Sequence, residues 1–398
     1  MSCGLSRSLV KPRTQPEGGT RGSLSENWSM IASNVLKPSG PVPSAAAIAP
    51  VMPRNLAATP DDKAMLRAAV DLTRDIAAAR GSIYWPDMLG SAALGYAALT
   101  GAILLSGTLA PLACAVVAVL ALYRALLFIH ELTHIHKTAL PGFRLAWNVL
   151  VGVPMLTPSL MYENVHTLHH ARTRYGTADD PEYLPLALMK PWSLPLFVVV
   201  ALLLPIGLLV RSAVLVPLGA LVPPLRRLVW ERFSALSINP DFRRRPPEGQ
   251  FARMVLWQEL GASGWALFVL AWSGTHGWRP LAIGLAVVSI VALLNQTRTL
   301  VAHLWENDGE TMTVTGQFLD TVNVPPPGML AEVWAPVGLR YHALHHLLPS
   351  VPYHSLAEAH RRLHGHLVEN STYTRASYPG LAPLVGRLAR STMGRPRG

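Results

Sequence analysis

Three stretches of this chain are long, apolar and nearly free of charge, and they restrict its fold more than any other feature. Met88–Ser106 carries no charged residue, Leu109–Phe128 carries only Arg124, and Leu281–Leu294 carries none. A helix crossing the hydrocarbon core of a bilayer needs about 20 apolar residues, and these windows approach that length. Charged residues are 14% of the 398-residue chain, against about 25% in soluble domains, and mean hydropathy is +0.29. The expected product is an all-α, multi-pass integral membrane protein. Met88–Ser106 and Leu109–Phe128 meet at Ser106, Gly107 and Thr108, a joint that fits a helical hairpin. Gly261–Thr275 and Leu281–Leu294 form a second hairpin, turning at His276, Gly277, Trp278 and Arg279. Leu145–Leu160 contains Pro154 and Pro158 and reads as interfacial or buried. Trp192–Val222, interrupted by Pro205, Arg211 and Pro217, reads as a re-entrant or interfacial helix pair.

Charge sets the orientation. The net charge is +11, from 34 basic and 23 acidic residues. Arg226, Arg227, Arg232, Arg243, Arg244, Arg245 and Arg253 face only Glu231, Asp241 and Glu248. Such an excess marks the cytoplasmic side of a membrane. The arginines flank apolar spans and form no basic-aromatic array, so nucleic-acid binding is not expected. The two cysteines, Cys3 in a polar stretch and Cys114 in an apolar one, suggest no disulfide and cannot supply the four thiolates of an iron–sulfur cluster.

Residues 1–60 are rich in Ser, Pro, Gly and Ala and read as a disordered tail, with no apolar core of a secretory signal. A transit peptide, or a start at Met30 or Met52, is the competing reading of this part. Beyond Thr59, a candidate helix cap, Leu66, Val70, Leu72 and Ile76 recur near helical spacing, as in an amphipathic helix lying on the membrane. Residues 61–370 form the main domain, and 371–398 a basic C-terminal tail.

The chemistry is carried by histidine. There are 15 in the chain, and most fall into three groups: His130 and His134; His166, His169 and His170; His342, His345 and His346. Positions i, i+3 and i+4 share one side of a helix, so each group can aim two or three imidazoles at one point. That is metal-ligand spacing, and eight imidazoles are too many for one ion but suit two. Imidazole serves Fe, Cu and Zn alike. His303 lies past the apolar run Leu281–Leu294 with no helix breaker between. A continuous helix would carry it about 13 Å beyond Leu294, much as His130 stands just past its own span. Both hairpins would then deliver histidine to one cytosolic, His-rich di-metal cap.

The pattern HxxxH, HxxHH and HxxHH, with a further histidine after the last span, resembles the membrane-bound fatty acid desaturase family over about residues 80–370. Asn295-Gln296-Thr297-Arg298-Thr299-Leu300, Asp180-Pro181-Glu182 and Pro349-Ser350-Val351-Pro352-Tyr353-His354 are similar too. The resemblance implies a non-haem di-iron centre held by His130, His134, His166, His169, His170, His303, His342, His345 and His346. It also implies O₂ as co-substrate and a long acyl chain as substrate, carried as a lipid or a thioester. In stearoyl-type relatives an Asn four residues before the extra histidine reaches a metal through water. That position is Thr299 here, and Asn295 lies one turn earlier. Metal-bound histidine commonly gives its second N–H to a carboxylate, which makes Glu131 and Asp180 candidate partners; Asn295 and His354 are further candidates around the centre.

The expected function is thus O₂-dependent desaturation of a long-chain acyl group. Relatives in the same superfamily hydroxylate instead, and ligands alone do not separate the two. His130-Glu131-Leu132-Thr133-His134 also matches HExxH of zinc proteases, a reading that leaves both HxxHH groups unused. A metal carrier would need histidines within the spans. No fused haem-binding motif, dinucleotide motif or ferredoxin cysteine set occurs, so electrons should come from a separate ferredoxin or a b-type cytochrome with its reductase. The expected location is a bacterial inner membrane, with the active site cytoplasmic.

Overall fold

The computed structural model describes residues 56–328, 330–368 and 371–393; residues 1–55, most of the expected disordered tail, lie outside that set. Among the described residues the fold is helical. No strand forms beyond isolated bridges such as His303 with Thr321 and Asn323 with Tyr341. Five helices are long and apolar enough to cross a membrane: Gly81–Leu104, Leu109–His134, Ser193–Leu221, Gly249–His276 and Arg279–Ala302. This is a multi-pass membrane protein.

The first hairpin is as expected but longer at both ends. Gly107 takes a φ of 82° in the turn, a conformation glycine adopts without penalty. Gly95 lets the helices approach closely: a Cβ there would lie 2.7 Å from the Leu122 side chain. Small residues at such crossings are how membrane helices pack. The second pair differs from the expectation. Arg279–Ala302 packs chiefly on Ser193–Leu221 and Leu109–His134 rather than on its sequence neighbour Gly249–His276, and Ser289 donates to the Leu202 carbonyl at 2.8 Å.

Trp192–Val222 does not form a helix pair. It is one run, Ser193–Leu221, with a wide π turn at Arg211–Leu215. The wide turn lies just before Pro217, whose missing N–H would break a regular helix. Arg211, which argued against burial, is matched by Glu259 at 2.9 Å and by the Phe233 carbonyl at 2.6 Å. The chain then returns through a separate helix, Pro223–Phe233. Phe143–Trp147 and Ser159–Met161 are short helices with Phe143, Trp147 and Leu160 buried, so Leu145–Leu160 is non-spanning as read from its prolines.

Two assignments at the chain ends need correction. The first helix of the described residues is Lys63–Asp71, capped by Asp62 rather than Thr59. Its apolar face, with Met65, Ala68 and Ala69, packs into the protein core rather than onto a membrane. The partner is the helix Leu356–His366, and Arg362 fastens the pair by reaching Asp75 at 2.6 Å. Residues 371–393 are not a tail. Leu381–Met393 is a helix with Leu384 and Leu388 buried, and Thr392 donates to the Leu186 carbonyl at 3.0 Å.

The second half of the arginine-rich segment lies against the second histidine group. Ser237 donates to the Pro181 carbonyl at 2.6 Å, Asn239 to the Asp180 carbonyl at 2.9 Å, and Arg244 to the Glu163 carbonyl at 2.6 Å. Cysteines placed at the exposed positions Asp241 and Ser350 are therefore expected to react with an impermeant thiol reagent from the same face of sealed vesicles. Labelling from opposite faces would refute this packing.

Candidate metal centre

Nine imidazoles converge in two buried groups. One contains His130, His134, His166, His170 and His345; the other contains His169, His303, His342 and His346. Within each group one nitrogen per residue lies within 4.8 Å of all the others. All nine sequence candidates are thus brought together. The partition follows helix geometry: residues i and i+4 differ by about 40° around the axis, while i+3 and i+4 differ by about 100°. So His166 and His170 share a group, as do His342 and His346, whereas His169 and His345 each join the opposite one.

The elements that hold them differ. His130 and His134 end the helix Leu109–His134, as expected. His166–His169 is a single turn, and His342–Leu347 a short helix whose Leu344 N–H is accepted by the Asn323 side chain at 3.0 Å. His303 is not on a continuing helix. The helix stops at Ala302, and His303 is extended, with φ −126° and ψ 158°, bridged to Thr321. The break turns the imidazole inward, where a continued helix would have carried it away from the core.

The facing nitrogens fit a metal. Nε2 atoms of His166 and His170 lie 3.0 Å apart, those of His170 and His345 3.2 Å, His303 and His342 3.0 Å, and His342 and His346 3.2 Å. Ligands at about 2.0–2.1 Å from one ion are separated by roughly 2.9–3.4 Å. Both ring nitrogens of His130 and the Nε2 of His134 are buried without a partner. Burial without a partner is costly for a polar atom, and a cation between the rings removes that cost. Burial also holds His166, His170, His303, His342, His345 and His346 well below the usual imidazole pKa, in the neutral form that ligates. Burial pulls His169 the same way, but the Asp180 carboxylate outweighs it and the net shift is upward.

Carboxylates hold the outward nitrogens. His169 Nδ1 meets both Asp180 oxygens at 2.9 and 3.0 Å, and Asp180 is fully buried. His166 Nδ1 meets Glu182 at 2.9 Å, and Glu182 also accepts from the Tyr162 hydroxyl at 2.8 Å. His303 Nδ1 meets the Tyr175 hydroxyl at 2.8 Å, which donates to Asp320 at 2.9 Å. Burial pushes Glu182 and Asp320 up to about 7. Glu182 was read from sequence only as part of the Asp180-Pro181-Glu182 stretch and not as a histidine partner, and Tyr175 and Asp320 were not singled out. Glu182 stands two residues from Asp180 and was within reach of the same argument; Tyr175 and Asp320 carry no local signal, because their pairing depends on tertiary packing.

The other candidates lie differently. Glu131 accepts from the Tyr84 hydroxyl and from the Tyr353 N–H at 3.2 Å, and its nearer oxygen is 3.7 Å from His130 Nδ1. It ties the first hairpin to the segment after the third histidine group. Asn295 accepts from Arg298 at 3.1 Å. His354 meets the Arg80 backbone N–H at 3.3 Å and the Ser355 hydroxyl at 3.0 Å, and makes no contact with an imidazole of either group.

With fold and centre in place, the comparisons with known proteins agree on the class. The fatty acid desaturase profile matches residues 106–378, and the chain belongs to that family. A ceramide hydroxylase of Caulobacter vibrioides (strain NA1000 / CB15N) is 50% identical over 338 residues, 84% of this chain and 96% of that protein. The chain is accordingly an enzyme of the desaturase and hydroxylase superfamily.

Tyr175→Phe removes only the hydroxyl between His303 and Asp320. It is expected to weaken metal retention by about 10–100-fold, read by metal analysis after dialysis against chelator, with helix content unchanged. Unaltered retention would show that this chain of hydrogen bonds does not serve the centre.

Proposed function

We propose that this protein is an O₂-dependent lipid hydroxylase acting on a ceramide-type membrane lipid. The observation that carries this reading is the 50% identity extending through 96% of a ceramide hydroxylase. It favours hydroxylation over the acyl desaturation expected from the histidine pattern. Desaturation remains the second reading, supported by the family match. The two share a beginning and differ in whether a second hydrogen is lost or oxygen is inserted.

Two irons fit the imidazole set, one held by His130, His134, His166, His170 and His345, the other by His169, His303, His342 and His346. When bound, they supply O₂ activation and hydrogen removal from an unactivated C–H. The reaction balances as R–H, O₂, two electrons and two protons giving R–OH and water. The electrons come from a separate donor, a ferredoxin or a b-type cytochrome with its reductase.

The chain's own residues orient and exclude. Asp180, Glu182 and Tyr175 take the outward ring nitrogens, which leaves the inward ones facing the ions. Within the membrane helices a cavity of about 370 Å³ is lined by Leu99, Leu122, Met155, Ala266 and Leu285. Its apolar walls suit a lipid tail. The excess of arginine in 226–253, packed beside the second histidine group, supports a cytoplasmic site in a bacterial inner membrane.

Glu131 bears on the zinc-protease reading. A protease would use it as a free base beside the metal, whereas here Tyr84 and Tyr353 occupy it. Glu131→Gln is therefore expected to reduce turnover about 10–100-fold without abolishing it. Complete loss with full metal retention and peptide cleavage by the wild type would defeat the hydroxylase.

The central test is lipid analysis of a ceramide-producing host that expresses the chain. Ceramide with one added oxygen is the expected product. Ceramide with one added double bond, and no alcohol, would establish the desaturase instead.

A further inference from the structure

The exposed apolar surface of the helix Leu109–His134 stops partway along it, and a loop of the cap begins where it stops. Leu109, Leu112, Val116, Val117 and Leu120 are exposed, whereas Leu122 and Tyr123 are buried. The Tyr123 hydroxyl donates to the Trp334 carbonyl at 2.8 Å. Trp334 ends the short helix Ala331–Trp334, which also packs on Arg279–Ala302. A helix rises about 1.5 Å per residue, so Tyr123 stands about 21 Å from Leu109, within the roughly 30 Å of hydrocarbon that a span crosses.

The loop suits a dry setting. Pro325, Pro326 and Pro327 bring no N–H to satisfy. The carbonyls of Val324 and Gly328 accept from Arg340 at 2.8 and 3.1 Å, and that of Ala331 accepts from the Ala335 N–H at 2.8 Å. Backbone held away from water needs partners of this kind. Leu330 is 74% and Val333 48% exposed; three residues apart, they share one side of the turn. Trp334 packs inward, against the core that contains Tyr123. Glu332 is paired with Arg340 at 3.0 Å, and its side chain is 58% exposed, which sets the loop at the border of hydrocarbon and headgroups rather than at the bilayer centre. Arg124, the residue after Tyr123, marks the same border and is paired with Asp87 at 2.6 Å.

We propose that the loop carrying Ala331–Trp334 inserts into the leaflet on the side of the cap, with Leu330 and Val333 among the acyl chains and the Glu332–Arg340 pair at the headgroups. The partner is the lipid bilayer. Two exposed side chains on a four-residue helix fall far short of the roughly 800 Å² that each partner buries in a stable protein contact, and they extend the lipid-facing surface of the span where that surface ends. Arg340 is two residues from His342, so the side chain that braces the inserted loop also fixes the start of the third histidine group against the membrane. The proposal rests on the spans and is independent of the choice between hydroxylation and desaturation.

The test uses the full-length protein in phosphatidylcholine vesicles, with Cys3→Ser, Cys114→Ser and one added cysteine that bears an NBD fluorophore. Leu330→Cys and Val333→Cys change exposed positions, so both should keep the helix content and metal content of the wild type. Leu120→Cys is the lipid-facing reference and Asp241→Cys, also exposed, the aqueous one. Labels at Leu330 and Val333 should emit to the blue of the label at Asp241 and resist quenching by iodide. An apolar face lying in the interface is buried about 5–10 Å, so a nitroxide on the lipid near its headgroup should quench these two labels more than one near the chain end. That order should reverse at Leu120, which stands deeper. Water-like emission with full iodide quenching at both positions overturns the proposal. So does a label shielded from iodide and from both nitroxides that transfers energy to labels on other copies, which would make this face a contact between chains.

Discussion

Nine imidazoles forced together in a buried volume are the constraint on which the rest of the structure depends. Converging ring nitrogens repel one another and lose their water, so the arrangement needs both a cation among them and firm control of each ring. The cap supplies that control. Asp180, Asp320 and Asn323 are all fully buried. The first two take the outer side of His169 and, through Tyr175, of His303, and the third fixes the helix that carries His342, His345 and His346. The two carboxylates are affordable because each is satisfied by hydrogen bonds. The segments at both ends of the described chain, Lys63–Asp71 and Leu381–Met393, close over this layer and keep water from it.

Much of this was legible because histidine spacing and helix period are related. The i, i+3, i+4 pattern names eight of the nine residues, all but His303, and the same angles explain how the two HxxHH sets divide between the groups. The apolar windows of the first hairpin were equally plain, since a bilayer span needs little beyond length and absence of charge. What escaped was set by partners far away in sequence. Arg211 reads as a reason to break a helix until Glu259 and Phe233 are seen beside it. The Arg279–Ala302 helix looks like half of a hairpin with its neighbour until the packing on Ser193–Leu221 is known. His303 was expected at the right place by the wrong route, because the run to it has no breaker, and the halt at Ala302 is imposed by pairing with the segment around Thr321. The C-terminal helix was missed because its charge count obscured the apolar face formed by Leu384 and Leu388.

Ligands do not separate the two chemistries open to this family. Both begin by removing hydrogen from a methylene, and both require the same imidazole set. The outcome depends on where the lipid is held, and so on residues around the metals that are not ligands.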